Sequence, residues 1–161
     1  VTADNLKDIK FDKIFCSDLP RAMQTCEDAL PGSKPIYTDK IREIGVGCLA
    51  DRYIADNAKE YGDAYWKSVE QQDFRQYGGE SKEQMQARVK DFIHDIEKLE
   101  GTCEKVAVFG HEGTVHQFFN YTMGHEILLE HITIRNASVT VFEYKDGKWS
   151  LLQFSYKADL D

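Results

Sequence analysis

A layered α/β fold with a mostly parallel sheet is the class this sequence predicts, and three observations carry the prediction. Two short apolar runs, residues 11–17 and 105–109, have the length and content of buried strands. Segments of helical periodicity alternate with them. Parallel strands need such crossovers, which cover both faces of the sheet and give helix, sheet and helix layers. The end of the chain differs: residues 138–144 and 149–154 flank Lys145-Asp146-Gly147-Lys148, whose Asp-Gly pair signals a hairpin, so an antiparallel edge completes the pattern. At 161 residues the chain is expected to form one domain over 1–161.

The elements follow in order. Residues 2–10 read as the end of a helix, with Leu6 and Ile9 on one face. After the first strand, Asp18 is placed to cap a helix, and Pro20 is tolerated in the first turn, where its missing N–H is not needed. Ala22, Cys26 and Ala29 repeat at helical spacing until Pro31-Gly32. A short extended piece, residues 35–37, leads into an irregular stretch around Arg42-Glu43 and Gly45-Val46-Gly47. Residues 51–77 are polar and aromatic with weak helical periodicity, and predict a lid-like helical insertion at about 48–79. Ser81 and Gln84 form a capping box, followed by Met85, Val89, Phe92, Ile96 and Leu99 at helical spacing until Gly101. The second strand, Lys105-Val106-Ala107-Val108-Phe109, is expected to be buried. It turns at Gly110-His111-Glu112-Gly113 into a helix running to about Met123.

Composition narrows the function. Hydrophobic residues make 42% and charged residues 30%, a globular balance. Twenty Lys and Arg against 28 Asp and Glu leave a net charge of −8, which argues against nucleic acid as a partner. No apolar run approaches the ~20 residues of a membrane span. The four cysteines, at 16, 26, 48 and 103, include no C-x-x-C pair and fit a reducing, cytoplasmic setting.

Three suggestive motifs fail on spacing. Cys16 and Arg21 have four intervening residues, whereas the cysteine-phosphatase loop needs five, and Pro20 removes an amide from the cradle. His111 and His116 are five apart, which sets them about 140° from one another around a helix where zinc ligation requires the four-residue, same-face spacing, so no metal is expected. Gly45 and Gly47 lack a third glycine, and no dinucleotide site or other cofactor is indicated.

Three residues remain. His111 lies at the carboxyl end of a strand and opens a helix, where ligands of α/β sheets and anions bind. A histidine that merely completes a turn is the competing reading. Arg21 occupies the first turn of the helix after the other strand, where its fork matches phosphate oxygens. A cation there opposes the helix dipole, a local conflict that favours a functional reason over a solvated surface arginine. Glu43 stands between Ile41 and Ile44; a carboxyl in apolar surroundings tends to keep its proton and can protonate a leaving oxygen. A surface-loop glutamate is the alternative.

Taken in order and spacing, FDKIFCSDLPRAMQT, IREIGVG, GGESKEQMQARVKDF and VAVFGHEGTVHQFF resemble the histidine phosphatase superfamily, also called phosphoglycerate mutase-like, from about residue 2 to residue 154. The resemblance implies that fold, with Arg21 and His111 as phosphate-pocket residues and Glu43 as proton donor. The backbone N–H of Glu112 would be a further phosphate contact. It further implies a metal-independent phosphatase acting on a small phosphorylated metabolite through a phosphohistidine. Such families begin with a strand ending in Arg-His-Gly, whose histidine is the nucleophile, and no Arg-His-Gly occurs in these 161 residues. The first strand of the fold is therefore expected to be missing from them. None of His94, His116, His125 or His131 sits in a matching context, and His94 is expected to face water. Glu112 stands where glycine is common, and would repel a phosphate dianion unless it points away. His116 stands where arginine is frequent. Two alternatives follow: phosphoglycerate mutase-type transfer, for which the insertion looks too short, and an inactive domain that binds phosphate or a partner.

Overall fold

The computed structural model describes residues 6–127 and 132–156. Its first strand, β1 (Lys13–Ser17), is the middle of a three-stranded parallel sheet in the order β2-β1-β3, with β2 at Ile36–Thr38 and β3 at Val106–Phe109. The register pairs Cys16 with Tyr37 on one side and with Phe109 on the other. Because all three strands run the same way, their carboxyl ends lie along one edge. The segments carrying Arg21, Glu43 and His111 all leave the sheet there.

Alternation along β1 builds the two flanking layers. Cys16 points to one face and packs with Ala22, Cys26 and Ala29 of α1 (Pro20–Ala29) and with Ala107 and Phe109 of β3. Phe15 points to the other and meets Phe92 edge-on, with ring centroids 5.3 Å apart. There it joins Ile41 and the apolar stripe of a long later helix: Met85, Val89, Phe92 and Ile93, all buried. The three expected layers are thus present. Each such fully buried aliphatic or aromatic side chain contributes about 1.5–3 kcal/mol.

Local chemistry sets the element ends. The expected capping box holds: Ser81 Oγ accepts from Gln84 N, while Gln84 Oε1 accepts from Ser81 N. Asp18 does not cap α1. Leu19 is the N-cap, with no side-chain cap, and Asp18 instead forms a two-bond ion pair with Arg42 at 2.6 and 2.5 Å. A nearby guanidinium outcompetes the helix amides for that carboxylate, and lowers its pKa. At the start of the described chain Leu6 is buried but Ile9 is exposed, because the chain turns at Leu6 rather than continuing a helix. Residues 2–5 of the helix expected there lie outside the described residues. β3 is less covered than expected: Val108 is 37% exposed, since β3 pairs with β1 on one side and with no other strand among the described residues.

Helices α2 (Ile54–Tyr61) and α3 (Asp63–Gln71) fill the polar, aromatic stretch. A separate apolar cluster of Leu49, Tyr65, Phe74 and Tyr77 lies under them. Gly45 and Gly47 serve this region. A Cβ on Gly47, whose φ is +59°, would lie 1.9 Å from the Tyr77 carbonyl oxygen, so two backbone segments meet where only glycine fits. The long helix is α4 (Lys82–Glu97), and α5 (Glu112–Met123) follows β3. The C-terminal hairpin, β4 (Val139–Lys145) and β5 (Lys148–Tyr156), turns through Asp146 and Gly147, both with positive φ as an Asp-Gly hairpin requires. Among the described residues it forms its own two-stranded sheet instead of a bonded edge of the parallel one, and packs Phe142 and Trp149 on Phe118 of α5. No described helix is long and apolar enough to cross a membrane.

Candidate active site

The carboxyl edge of the sheet gathers the three predicted residues. His111 is the N-cap of α5 in extended conformation, and its ring is held from two directions. Arg21 Nε donates to His111 Nδ1 at 3.3 Å, and His111 Nε2 lies 2.9 Å from Ser17 Oγ at the end of β1. A nitrogen that accepts from a guanidinium carries no proton, so the ring is neutral and Nε2–H donates to Ser17. The direction of its pKa agrees: burial pulls it below the ordinary 6.5, Arg21 and Arg88 pull it further, and Glu43 opposes them.

Glu43 is half-buried after the short turn at Asp39–Ile41. Its surroundings differ from the apolar pocket expected from Ile41 and Ile44, because Ile41 turns into the core and backbone amides face the carboxylate. Oε1 accepts from Ile44 N at 3.0 Å and Oε2 from Gly113 N at 3.2 Å. The second bond ties Glu43 to the first turn of α5, two residues from His111. A Cβ at position 113 would lie 2.3 Å from Glu43 Oε1, so Gly113 is what lets the carboxylate come so close.

Charge is unevenly compensated. Arg42 is paired with Asp18, and Arg88 with Glu80 at 2.5 Å. Among the described residues Arg21 forms no ion pair; its partner is the neutral imidazole. Its positive charge is therefore available to an anion at this edge, as is the Glu112 amide in the first turn of α5, which a helix leaves without an intrahelical acceptor; the Gly113 amide is taken by Glu43. Glu112 is exposed and lines, with Glu43, Gln72, Lys82, His116 and Gln117, a cleft of about 200 Å³ beside the site.

Other candidates go elsewhere. His116 is buried and donates through Nε2 to the Ile127 carbonyl at 2.5 Å, while Asn120 accepts from the Ile127 amide. It anchors the chain after α5. His94 is half-buried against Tyr121 rather than fully in water, since the end of α4 packs beside α5. His131 lies outside the described residues. Burial pushes the Cys16 thiol up to about 12, so it stays protonated at neutral pH and cannot serve as a thiolate nucleophile. Sequence reasoning missed Ser17, Glu80 and Arg88. Ser17 had one signal, its place at a strand's carboxyl end; Arg88 and Glu80 looked like ordinary surface charges.

The family model of the histidine phosphatase superfamily (branch 1) matches residues 1–157. The chain belongs to that superfamily. It is 30% identical over 149 residues to the broad-specificity phosphatase YOR283W of Saccharomyces cerevisiae, covering 87% of this chain and 62% of the relative. The chain thus spans less than two thirds of that relative's length. Two solved structures share the fold. The alpha-ribazole phosphatase of Shigella flexneri superposes with a TM-score of 0.80 at 18% identity, over 96% of this chain and 78% of the other. Bacillus stearothermophilus YhfR superposes with a TM-score of 0.80 at 20% identity, over 98% and 80%. The α/β class with a mostly parallel sheet and an antiparallel hairpin is the one these structures share.

A pH-linked result follows from the ring's hydrogen bonds. Burial and Arg21 disfavour protonation of His111 in the anion-free fold, so acidification below about 6.5 costs stability through this group. A bound dianion reverses the preference. Sulfate, which does not titrate in this range, should therefore bind more tightly as pH falls from about 8 to about 6, by at most about tenfold per unit for one linked proton. Calorimetric titration checks it, and His111→Gln should flatten the slope.

Proposed function

We propose that this chain carries the phosphate-holding and proton-transfer groups of a phosphomonoester hydrolase that works without a metal ion and through a phosphohistidine. The nucleophilic histidine would lie outside these 161 residues. One observation supports the reading above the others: an arginine without a carboxylate partner among the described residues sits on a neutral histidine, and a carboxylate is bonded to the helix that this histidine opens.

In the proposed cycle the nucleophile's ring nitrogen attacks phosphorus and the bond from phosphorus to the ester oxygen breaks. Arg21 and His111, with the first-turn amide of Glu112, neutralise charge on the three non-bridging oxygens. Glu43, protonated, gives its proton to the departing alkoxide. The resulting carboxylate then takes a proton from water as that water attacks the phosphohistidine and releases inorganic phosphate. The cleft's small size and mixed lining, with Lys82 and Gln72 beside Ile44 and Met85, support a small phosphorylated metabolite as substrate. The name of the yeast relative, a broad-specificity phosphatase, supports hydrolysis over transfer.

The test is turnover of p-nitrophenyl phosphate in EDTA by the full-length protein that contains this chain. Phosphate release is expected, with Arg21→Ala lowering kcat by about 10²–10³-fold, the usual worth of one donor to the developing charge. Loss of activity in EDTA that added metal restores would overturn metal independence. Phosphate binding without turnover would make this an inactive binding domain, and isomerisation of 3-phosphoglycerate without phosphate release would make it a mutase.

A further inference from the structure

Arg88 lies in the second turn of α4, and its side chain is only 20% exposed. Every one of its five N–H donors is used. Nη1 donates to the carbonyls of Lys40 at 3.0 Å and Arg42 at 2.7 Å. Nη2 donates to the carbonyl of Glu43 at 3.1 Å and to Glu80 Oε1 at 2.5 Å, and Nε donates to Glu80 Oε2 at 3.0 Å. Glu80 completes the grip: its Oε1 accepts from the Gly45 amide at 2.8 Å, and its own amide donates to the Gly45 carbonyl at 2.8 Å. The carbonyls of Lys40, Arg42 and Glu43 itself, and the amide two residues beyond Glu43, are thus bound by one guanidinium–carboxylate pair.

We propose that Arg88 and Glu80 are positioning residues for Glu43, fixing the backbone from which its carboxyl reaches Gly113. The segment from Arg42 to Val46 has no helix or strand to hold it. The Arg42 and Glu43 carbonyls, with that of Lys40 just before them, converge on a single side chain, which a lysine with three donors and no planar fork cannot replace. Gly113 N–H holds the end of the Glu43 side chain, and the pair holds its base. A guanidinium saturated in this way is unavailable to substrate phosphate, which separates its role from that of Arg21.

The inference rests on Glu43 being the proton donor, and the test separates the two ideas. In the full-length protein, kcat is compared on an alkyl phosphate, whose leaving oxygen needs a proton, and on p-nitrophenyl phosphate, whose leaving group hardly does. Arg88→Met should lower the alkyl rate by about 10²-fold, the scale of an ångström-sized misplacement of a reacting group, and the nitrophenyl rate far less. Simple loss of folded protein lowers both equally. Arg88→Lys should recover only part of the loss, and Glu43→Gln/Arg88→Met should be no slower than Glu43→Gln alone. Equal falls on both substrates, or multiplying effects in the double variant, overturn the proposal. If Glu43→Gln itself shows no dependence on leaving group, the proton-donor role fails instead. The amide of Gly113 then decides the clamp without turnover: its NMR shift and hydrogen exchange should change in Arg88→Met, and no change overturns it.

Discussion

Replacing Glu43 with glutamine is expected to lower kcat on alkyl phosphates by about 10²–10⁴-fold, the range for removing a positioned general acid. Glutamine keeps the size of the side chain but has no proton of suitable acidity to give. It also presents only one acceptor oxygen, where the carboxylate now accepts from both Ile44 N and Gly113 N. The loss should fall on kcat more than on KM, because the interaction with the leaving oxygen develops only in the transition state. Steady-state kinetics over a series of leaving groups checks it. A rate that stays unchanged on the poorest leaving group would remove Glu43 from the reaction.

The second large effect is expected from one methyl group. In Gly113→Ala the new Cβ would lie 2.3 Å from Glu43 Oε1 and 2.6 Å from Met85 Cε. The methionine is flexible and can retreat. The carboxyl cannot do so without breaking its bond to the amide at 113, so it is driven out of place. Overpacking of this kind costs about 1–3 kcal/mol of stability, readable as a lowered denaturation midpoint. The chemical cost is expected to be larger, on the order of 10²-fold in kcat. Because both changes act on one carboxyl, Gly113→Ala/Glu43→Gln should be no slower than Glu43→Gln alone. A Gly113→Ala enzyme with full kcat would show that Glu43 does not work from its observed position.

Much of the fold could be read before any coordinates. Ser81 with Gln84, the stripe from Met85 to Phe92, the repeat of Ala22, Cys26 and Ala29, and the Asp146-Gly147 turn are local signals, set by contacts within a few residues. The readings that failed depended on distant partners. Asp18 looked like a helix cap because its neighbours are helical, but Arg42, 24 positions on, claims it. Leu6 and Ile9 shared a face only if the helix continued. The hairpin was legible as a hairpin, whereas its packing on Phe118, more than 20 positions away, was not.

The site divides in the same way. The sequence by itself determined which groups are candidates: Arg21 opposing a helix dipole, His111 at a strand end between Gly110 and Gly113, and Glu43 in an irregular loop. It also determined the superfamily, through the order and spacing of four motifs. Only the tertiary structure decided that Arg21 touches His111 and fixes the ring's tautomer, that Ser17 accepts from its Nε2–H, and that Glu43 is held by amides rather than apolar walls. It alone made Arg88 and Glu80 more than surface charges. The physical reason is range. Helical periodicity and turn chemistry are written in neighbouring residues, but a hydrogen bond between residues 70 or 90 positions apart exists only once parallel strands have brought their carboxyl ends to one edge.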